Sequence, residues 1–293
     1  GTDSIRNNKN NRDEILARYG GHGSQRYPVG FSGDVSQLTW ECMAYQPYFS
    51  ATAANVGFMW SHDLVGPDTD HELHVRWQFG AYSSVMRIHD RGMSAGSCYP
   101  NCPIVNVWKL PEKYFNAVRD AMNDRVALLP YMYTAQRTAF DTGVQMVHPL
   151  YFEWPTSASA YIMGPDGQHA EYMFGDQILV APICFAADAN GLASKTIWLP
   201  PVQWYDNVFG ELIEGGSSIT RSYALGEIPT FIRAGAIIPR IPNPSKIGVA
   251  HGPIAAVDFY IYPGLATNSF NLYEDDGKSL DYIKEGFGFQ NVS

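Results

Sequence analysis

The sequence predicts an α/β region followed by an all-β region. Between about residues 15 and 143, strand-like and helix-like stretches alternate in three strand, loop, helix units, the pattern of a parallel sheet. After about residue 150, short apolar stretches are broken by Gly, Pro and Asn, which is typical of antiparallel β structure. Three units do not close a parallel barrel, which needs eight strands over about 250 residues. We therefore predict the C-terminal part of a (β/α)8 TIM barrel, a proximal β-sandwich domain and the start of a distal β domain.

Apolar runs and the residues that end them define the elements of the α/β region. In chain order these are a strand ending in ILA (15–17), a helix over 36–54, a strand VGFMW (56–60), a helix from about Asp70, a strand SVMRI (84–88), and a long helix from near Pro111 to Gly143. Proline inside a helix removes a hydrogen bond, so we expect bends at Pro47 and Pro130. Glycine readily takes the left-handed conformation that ends helices, which makes Gly143 the predicted cap.

The change of pattern also predicts the domain boundaries. We expect the barrel part over residues 1–150, the proximal β domain over 151–240, and a truncated distal β domain over 241–293. The proline-rich stretch IPRIPNPSK (238–246) has the composition of a linker between the two β domains.

Composition excludes several classes of partner. The chain has 293 residues, 45% of them hydrophobic, and its 20 basic and 29 acidic residues give a net charge of −9. There is no run of Lys or Arg, so we expect neither nucleic acid nor a membrane as a partner. No dinucleotide or P-loop glycine motif occurs, and we expect no cofactor. Aromatic rings and carboxylates together suit neutral sugars. The oligomeric state stays open.

Three further motifs allow more than one interpretation. Cys98 and Cys102 either pair locally or remain free thiols. His71 and His74 lie three residues apart on a predicted helix, where a solvated face is favoured over a metal site because a third ligand is lacking. The acids of YEDDG (273–277) indicate a turn, with calcium binding as the less favoured alternative.

Four polar residues fall where predicted strands end, which is where a parallel barrel carries its reacting groups. They are Arg18, Asp34, Asp63 and His89. Each has an ordinary alternative: an ion pair for Arg18, a loop turn for Asp63, a structural role for His89. For Asp34 the local sequence favours the N-cap of the following helix over a reacting carboxylate. The shared placement of all four at one face is what indicates a site.

Several long stretches of this chain resemble glycoside hydrolase family 31, the α-glucosidase and α-xylosidase family. They are RYGGHGSQRYPVGFSGD, WECMAYQPYFSATAANVGFMWSHDLVG, RWQFGAYSSVMRIH, ALLPYMYTAQRTAFDTGVQMVHPLYFEWP, FGDQILVAPI, IPTFIRAGAIIP and LYEDDGKSLDY, in that order. The resemblance covers nearly the whole chain from about residue 14.

The resemblance implies a retaining, exo-acting α-glycosidase that hydrolyses terminal non-reducing α-linked glucose or a related sugar. By the family's motifs, Asp34 is the general acid/base, and Arg18, Asp63 and His89 bind the hydroxyls of the released sugar. Phe31 occupies a position that is often Trp in the family, and Phe31 and Trp60 are further expected sugar-binding residues. The partner is then an oligosaccharide or glycoside. The location is left open by the sequence, with secretion, the lysosome and the endoplasmic reticulum lumen as the candidates.

The family's nucleophile lies in a Trp-x-Asp-x-Asn-Glu stretch, which these 293 residues lack. We therefore expect a fragment that carries the acid/base and does not hydrolyse substrates by itself. The alternatives are a non-catalytic carbohydrate-binding homologue and an α-xylosidase or transglycosylase of the same family.

Overall fold

The structure is a computed structural model, and it describes residues 12, 16–17, 23, 29–31, 39–65, 70–89, 107–246, 254–265 and 268–293. Four predicted residues, Arg18, Asp34, Cys98 and Cys102, lie outside the described residues. Within them, no helix is both long and apolar enough to cross a membrane.

The described helices and strands follow the predicted change from α/β to β structure. The helices are α1 (Trp40–Thr52), α2 (His71–Arg76), α3 (Glu112–Ala127) and α4 (Leu129–Thr142). The strands are β1 (Leu16–Ala17), β2 (Val29–Phe31), β3 (Met59–Val65), β4 (Val85–His89), β5 (Val147–His148), β6 (Tyr172–Phe174), β7 (Ile178–Val180), β8 (Ala193–Leu199), β9 (Gln203–Asp206), β10 (Leu212–Glu214), β11 (Ser217–Tyr223), β12 (Thr230–Arg233), β13 (Ile237–Arg240), β14 (Asp258–Ile261), β15 (Phe270–Asp275) and β16 (Phe287–Val292). Short 3-10 helices lie at Ala53–Val56, Trp77–Tyr82, Val107–Lys109, Leu150–Phe152, Ala158–Tyr161, Pro244–Lys246 and Asp281–Lys284.

The first four strands form one parallel sheet in the order β1-β2-β3-β4. Helix α1 connects β2 to β3, and α2 lies between β3 and β4, which confirms the predicted alternation for these elements. Strand β2 itself was not predicted, since its residues fall in the loop expected between the first strand and the first helix. Parallel neighbours joined by helical crossovers are the repeating unit of a (β/α)8 barrel. The four carboxyl ends of these strands therefore lie at one edge of the sheet.

Three predicted boundaries need correction. Helix α1 begins at Trp40 rather than near residue 36. The strand predicted at 56–60 begins later, at Met59, because the chain first turns through Gly57 at a φ of 74°. The predicted single helix to Gly143 is two helices, since Pro130 stands in the first turn of α4, where its missing N–H costs least. Gly143 itself is confirmed as a left-handed cap with a φ of 80°.

The later strands are antiparallel, as predicted. A six-stranded sheet has the order β10-β9-β12-β7-β6-β5, and β8 pairs with β11 in a separate hairpin. The pairs β13–β14 and β15–β16 complete the described β structure. Because β13 contains residues 237–240 and pairs with β14, the stretch predicted as a linker begins inside a strand. The domain boundaries at 150 and 240 stay predictions.

The six-stranded sheet is buried on both faces. One face packs on the β8–β11 hairpin in a core that includes Leu179, Phe231 and Trp204. The other face packs on α3 and α4 in a core that includes Ile178 and Ile232. Alternate residues of β7 and β12 thus enter opposite cores, as the two-residue period of a strand requires. This sheet joins the barrel part to the β domain.

Candidate active site

The parallel sheet brings the predicted strand ends together. β1 ends at Ala17, directly before Arg18, and β2 ends at Phe31, three residues before Asp34. Arg18 and Asp34 lie outside the described residues, so their placement rests on the strands that precede them. Since parallel neighbours end at the same edge, both residues follow strand ends of one sheet edge.

The backbone of Asp63 and of His89 lies within strands. Asp63 belongs to β3 and pairs with Arg87 of β4, and His89 is the last residue of β4 and pairs with Val65. Asp63 is therefore in a strand, not in the loop that the sequence predicted, two residues before that strand ends. Strand positions two apart belong to one face of a sheet. Positions 61 and 63 of β3 and 87 and 89 of β4 thus share a face.

Phe31, Ser61 and Arg87 are the described side chains that define this face near the strand ends. Phe31 is 7% exposed and Ser61 is fully buried. The guanidinium carbon of Arg87 lies 4.9 Å from the centre of the Phe31 ring, within the range of a cation–π contact. A fixed positive charge and an aromatic ring therefore meet beside the ends of β2 and β4. We call this group the inner face.

Trp60 lies on the opposite face of the same sheet. Its ring packs edge-on against Phe49 of α1 at 4.7 Å and against Phe58 at 6.0 Å. Gly30 leaves room for it, since a Cβ there would come within 2.9 Å of the Trp60 ring. The ring thus fills the space between sheet and helix. The expected sugar-binding role of Trp60 does not fit this placement, because the helix-facing side is separated from the inner face by the sheet.

Helix α1 is capped by a residue other than Asp34. Thr39 is extended, and its hydroxyl accepts a hydrogen bond from the Cys42 N–H at 3.2 Å. Asp34 precedes this cap by five residues. The N-cap of α1 is therefore Thr39 and not Asp34, which itself lies outside the described residues.

The two polar residues of the inner face, Ser61 and Arg87, were not predicted from the sequence. The signal was the period of two in the strands themselves, since Arg87 stands two residues before His89 and Ser61 two before Asp63. Within the described part of the chain, no group of three or more His, Cys, Asp or Glu could hold a metal ion. His74, predicted on a solvated helix face, is 2% exposed and belongs to the protein interior.

A parallel sheet with polar residues at its carboxyl ends, followed by an antiparallel β domain, is the architecture of a barrel enzyme with a C-terminal β domain. Family models specify it further. The model described as Glycosyl hydrolases family 31 TIM-barrel domain matches residues 2–135, and that described as Glycosyl hydrolase family 31 C-terminal domain matches residues 143–238. The chain belongs to glycoside hydrolase family 31.

Individual relatives agree with this assignment. The chain is 30% identical to a 1,6-alpha-glucosyltransferase of Sporosarcina globispora, over 92% of the chain and 21% of that protein. It is 29% identical to an alpha-xylosidase of Saccharolobus solfataricus, over 94% of the chain and 36% of that protein. Among solved structures, a Flavobacterium johnsoniae family 31 dextranase in complex with isomaltotriose matches with a TM-score of 0.83 and 28% identity, over 99% of this chain and 36% of that one. The chain thus spans only a fifth to about a third of the length of these relatives.

Proposed function

We propose that the protein carrying this chain is a retaining, exo-acting α-glycosidase that hydrolyses terminal non-reducing α-linked glucose or a related sugar. The observation that supports the proposal is the parallel register of β1 to β4. Arg18 and Asp34 follow β1 and β2 in the sequence, Asp63 belongs to β3, and His89 is the last residue of β4. Membership of family 31 and relatives named for glucosyl and xylosyl chemistry support it.

In this proposal Asp34 is the general acid/base. A retaining glycosidase needs two carboxyl groups about 5 to 5.5 Å apart, one to attack the anomeric carbon and one to protonate the leaving oxygen and then activate water. Asp34 takes the second role, and the nucleophile comes from barrel strands that these 293 residues do not contain. The acid must be protonated at working pH, which partial burial or the charge of the nucleophile achieves by raising its pKa. By itself the chain would not hydrolyse substrate.

The remaining candidates bind the sugar. Arg18 and His89 can donate hydrogen bonds to sugar hydroxyls, and Asp63 can accept them. Phe31, buried at the end of β2, supplies an apolar wall to the same site. Hydrogen bonds that strengthen as the oxocarbenium-like transition state forms would raise the rate as well as the affinity.

The test is Asp34→Ala in the full-length protein. Turnover of an alkyl α-glucoside, a poor leaving group, is expected to fall by a factor on the order of 10³, and that of an aryl α-glucoside with a good leaving group by much less. With the aryl glucoside, azide should raise the turnover of Asp34→Ala by attacking the covalent intermediate in place of the unactivated water, which gives an α-glucosyl azide. Asp120→Ala, which removes an exposed carboxylate of α3, is the matched control and should leave turnover unchanged. Normal hydrolysis of the alkyl glucoside by Asp34→Ala would refute the acid/base role.

A transglucosylase is the second candidate, favoured by the 30% identity to a 1,6-alpha-glucosyltransferase. It shares the glycosyl-enzyme intermediate but passes the sugar to another sugar instead of to water. Product analysis with malto-oligosaccharides separates the two: release of free glucose supports hydrolysis, and lengthened or rearranged oligosaccharides support transfer. Parallel assays with aryl α-xyloside test the xylosidase alternative.

A further inference from the structure

We propose that Arg87 is a positioning residue of this site, holding the Phe31 ring and through it the start of the segment that leads to Asp34. The inference rests on the proposed function of Asp34. The structure describes the side chain of Arg87. The family resemblance gave this residue no role.

The contact between Arg87 and Phe31 reaches across β3, the strand that lies between their own strands. In register, Phe31 of β2 pairs with Ser61 of β3, and Ser61 pairs with Val85 of β4. Arg87 stands two residues further along β4, and its guanidinium carbon lies 4.9 Å from the Phe31 ring. Next-but-one strands lie roughly 10 Å apart. Only a long side chain crosses that distance, and the small side chain of Ser61 on the intervening strand leaves the path open.

The two strands joined in this way carry different parts of the site. Phe31 is the last residue of β2, three residues before Asp34, and Arg87 is two residues before His89 at the end of β4. β2 and β4 share no hydrogen bonds, since β3 lies between them. The Arg87–Phe31 contact therefore links their ends directly. Catalytic geometry is sensitive to such links, because a displacement of about 1 Å can cost a factor on the order of 10² in rate.

The experiment is a double-mutant cycle in the full-length protein with Arg87→Met, Phe31→Leu and the double variant. We expect Arg87→Met to lower kcat/KM for an alkyl α-glucoside by roughly tenfold, and by roughly twofold or less when Phe31 is already Leu. The loss should be smaller for an aryl glucoside with a good leaving group, because the acid/base is then less needed. Arg87→Lys keeps a cation over the ring and should recover most of the rate.

The matched control is Arg119→Met, which removes a guanidinium that lies 5.9 Å from the Phe115 ring on the exposed surface of α3. It should leave kcat/KM unchanged. Far-UV circular dichroism and urea unfolding of every variant show whether a loss of rate is a loss of fold.

The outcomes separate this inference from the proposed function. If Arg87→Met lowers kcat/KM by the same factor in both Phe31 backgrounds, or equally for both leaving groups, the positioning role is overturned while Asp34 keeps its role. If Asp34→Ala retains normal turnover of the alkyl glucoside, the proposed function fails. In that case the same cycle measured by urea unfolding still reports whether Arg87 and Phe31 are coupled.

Discussion

The parallel sheet of the barrel part and the six-stranded antiparallel sheet differ in the side chains that occupy their two faces. The antiparallel sheet is apolar on both sides, with Leu179 in one core and Ile178 in the other. The outer side of the parallel sheet is apolar where Trp60 packs on α1. Its inner face combines the apolar Phe31 with the polar residues Ser61 and Arg87. The antiparallel sheet is packed on both faces, whereas one face of the parallel sheet is the proposed site of chemistry.

Two buried polar residues, one from each region, show a related difference. Lys195 of β8 is fully buried, and its ammonium donates to the carbonyl oxygens of Gly167, Ala170 and Pro182 at 3.0, 3.3 and 2.8 Å. Its hydrogen-bonding capacity is used up within the protein. The Ser61 hydroxyl is equally buried but has no hydrogen-bond partner among the described residues. A satisfied buried group serves the fold, whereas an unsatisfied one at a sheet edge is available to a ligand or to further barrel strands.

The largest effect on stability is expected from a cavity in the core between the six-stranded sheet and the β8–β11 hairpin, which we call the scaffold core. Trp204 is fully buried, and its Nε1–H donates to the Pro200 carbonyl oxygen at 2.9 Å. Trp204→Ala removes this packing and leaves a cavity, so the free energy of unfolding should fall by about 3–5 kcal/mol. Urea denaturation of the full-length protein measures it. Trp108, 73% exposed, is the matched control, and Trp108→Ala should change the free energy of unfolding by less than about 0.5 kcal/mol. Equal losses for the two tryptophans would contradict the assignment of the scaffold core.

A smaller effect, with a specific pH dependence, should come from Glu171 in the same region. Burial raises the pKa of this carboxyl from 4.5 to about 7, even though the Lys195 charge and the Trp198 N–H, 3.1 Å from its Oε1, favour the ionised form. At Glu171 the folded protein then binds more protons than the unfolded chain between these values. The contribution of this carboxyl to stability is therefore fully present below pH 4.5 and is lost as pH rises to about 7. Glu171→Gln mimics the protonated form. It should flatten this slope and raise the free energy of unfolding at pH 8 by roughly 3 kcal/mol.

Glu153 provides the opposite case as a control. Burial raises its pKa, but hydrogen bonds and charge from His148 and Arg233 outweigh burial and bring the pKa below 4.5. Its contribution to stability is present above pH 4.5 and is lost as pH falls through its lower pKa in the folded protein. Glu153→Gln should therefore destabilise the protein at neutral pH, where Glu171→Gln stabilises it. Urea midpoints measured from pH 4 to 8 for both variants would contradict the assignments if they moved together.

The sequence predicted the order of elements well because the signals were local. Asp70 accepts from the Leu73 N–H at 2.9 Å and begins α2, and Gly143 ends α4, both as expected from capping chemistry. The end of β3 was predicted too early, at residue 60 instead of 65, for a physical reason. A strand buried on both faces normally forms a continuous apolar run, and the polar residues Ser61 and Asp63 interrupt this one.

The sequence could not predict on which face of the sheet each strand residue lies. A shift of one residue moves every side chain of a strand to the other face, so the misplaced start of β3 left the side of Trp60 undetermined. Trp60 was expected at the sugar because an aromatic ring suits either environment. Arg87 was missed because its partner, Phe31, lies 56 residues earlier in the chain and two strands away. The roles of Arg18 and Asp34 remain predictions from the motif.

The smallest effect on stability is expected at the N-cap of α1 in the barrel part. Thr39 ends the connection that contains Asp34, and its Oγ1 accepts from the Cys42 N–H at the start of α1. Thr39→Ala leaves that N–H without its cap and should lower the free energy of unfolding by about 1 kcal/mol. Thr39→Ser keeps the hydroxyl and should stay within a few tenths of a kcal/mol of the unsubstituted protein. Urea titrations that show Ala and Ser to be equivalent would mean that Thr39 does not cap α1, and would reopen the capping role for a residue nearer Asp34.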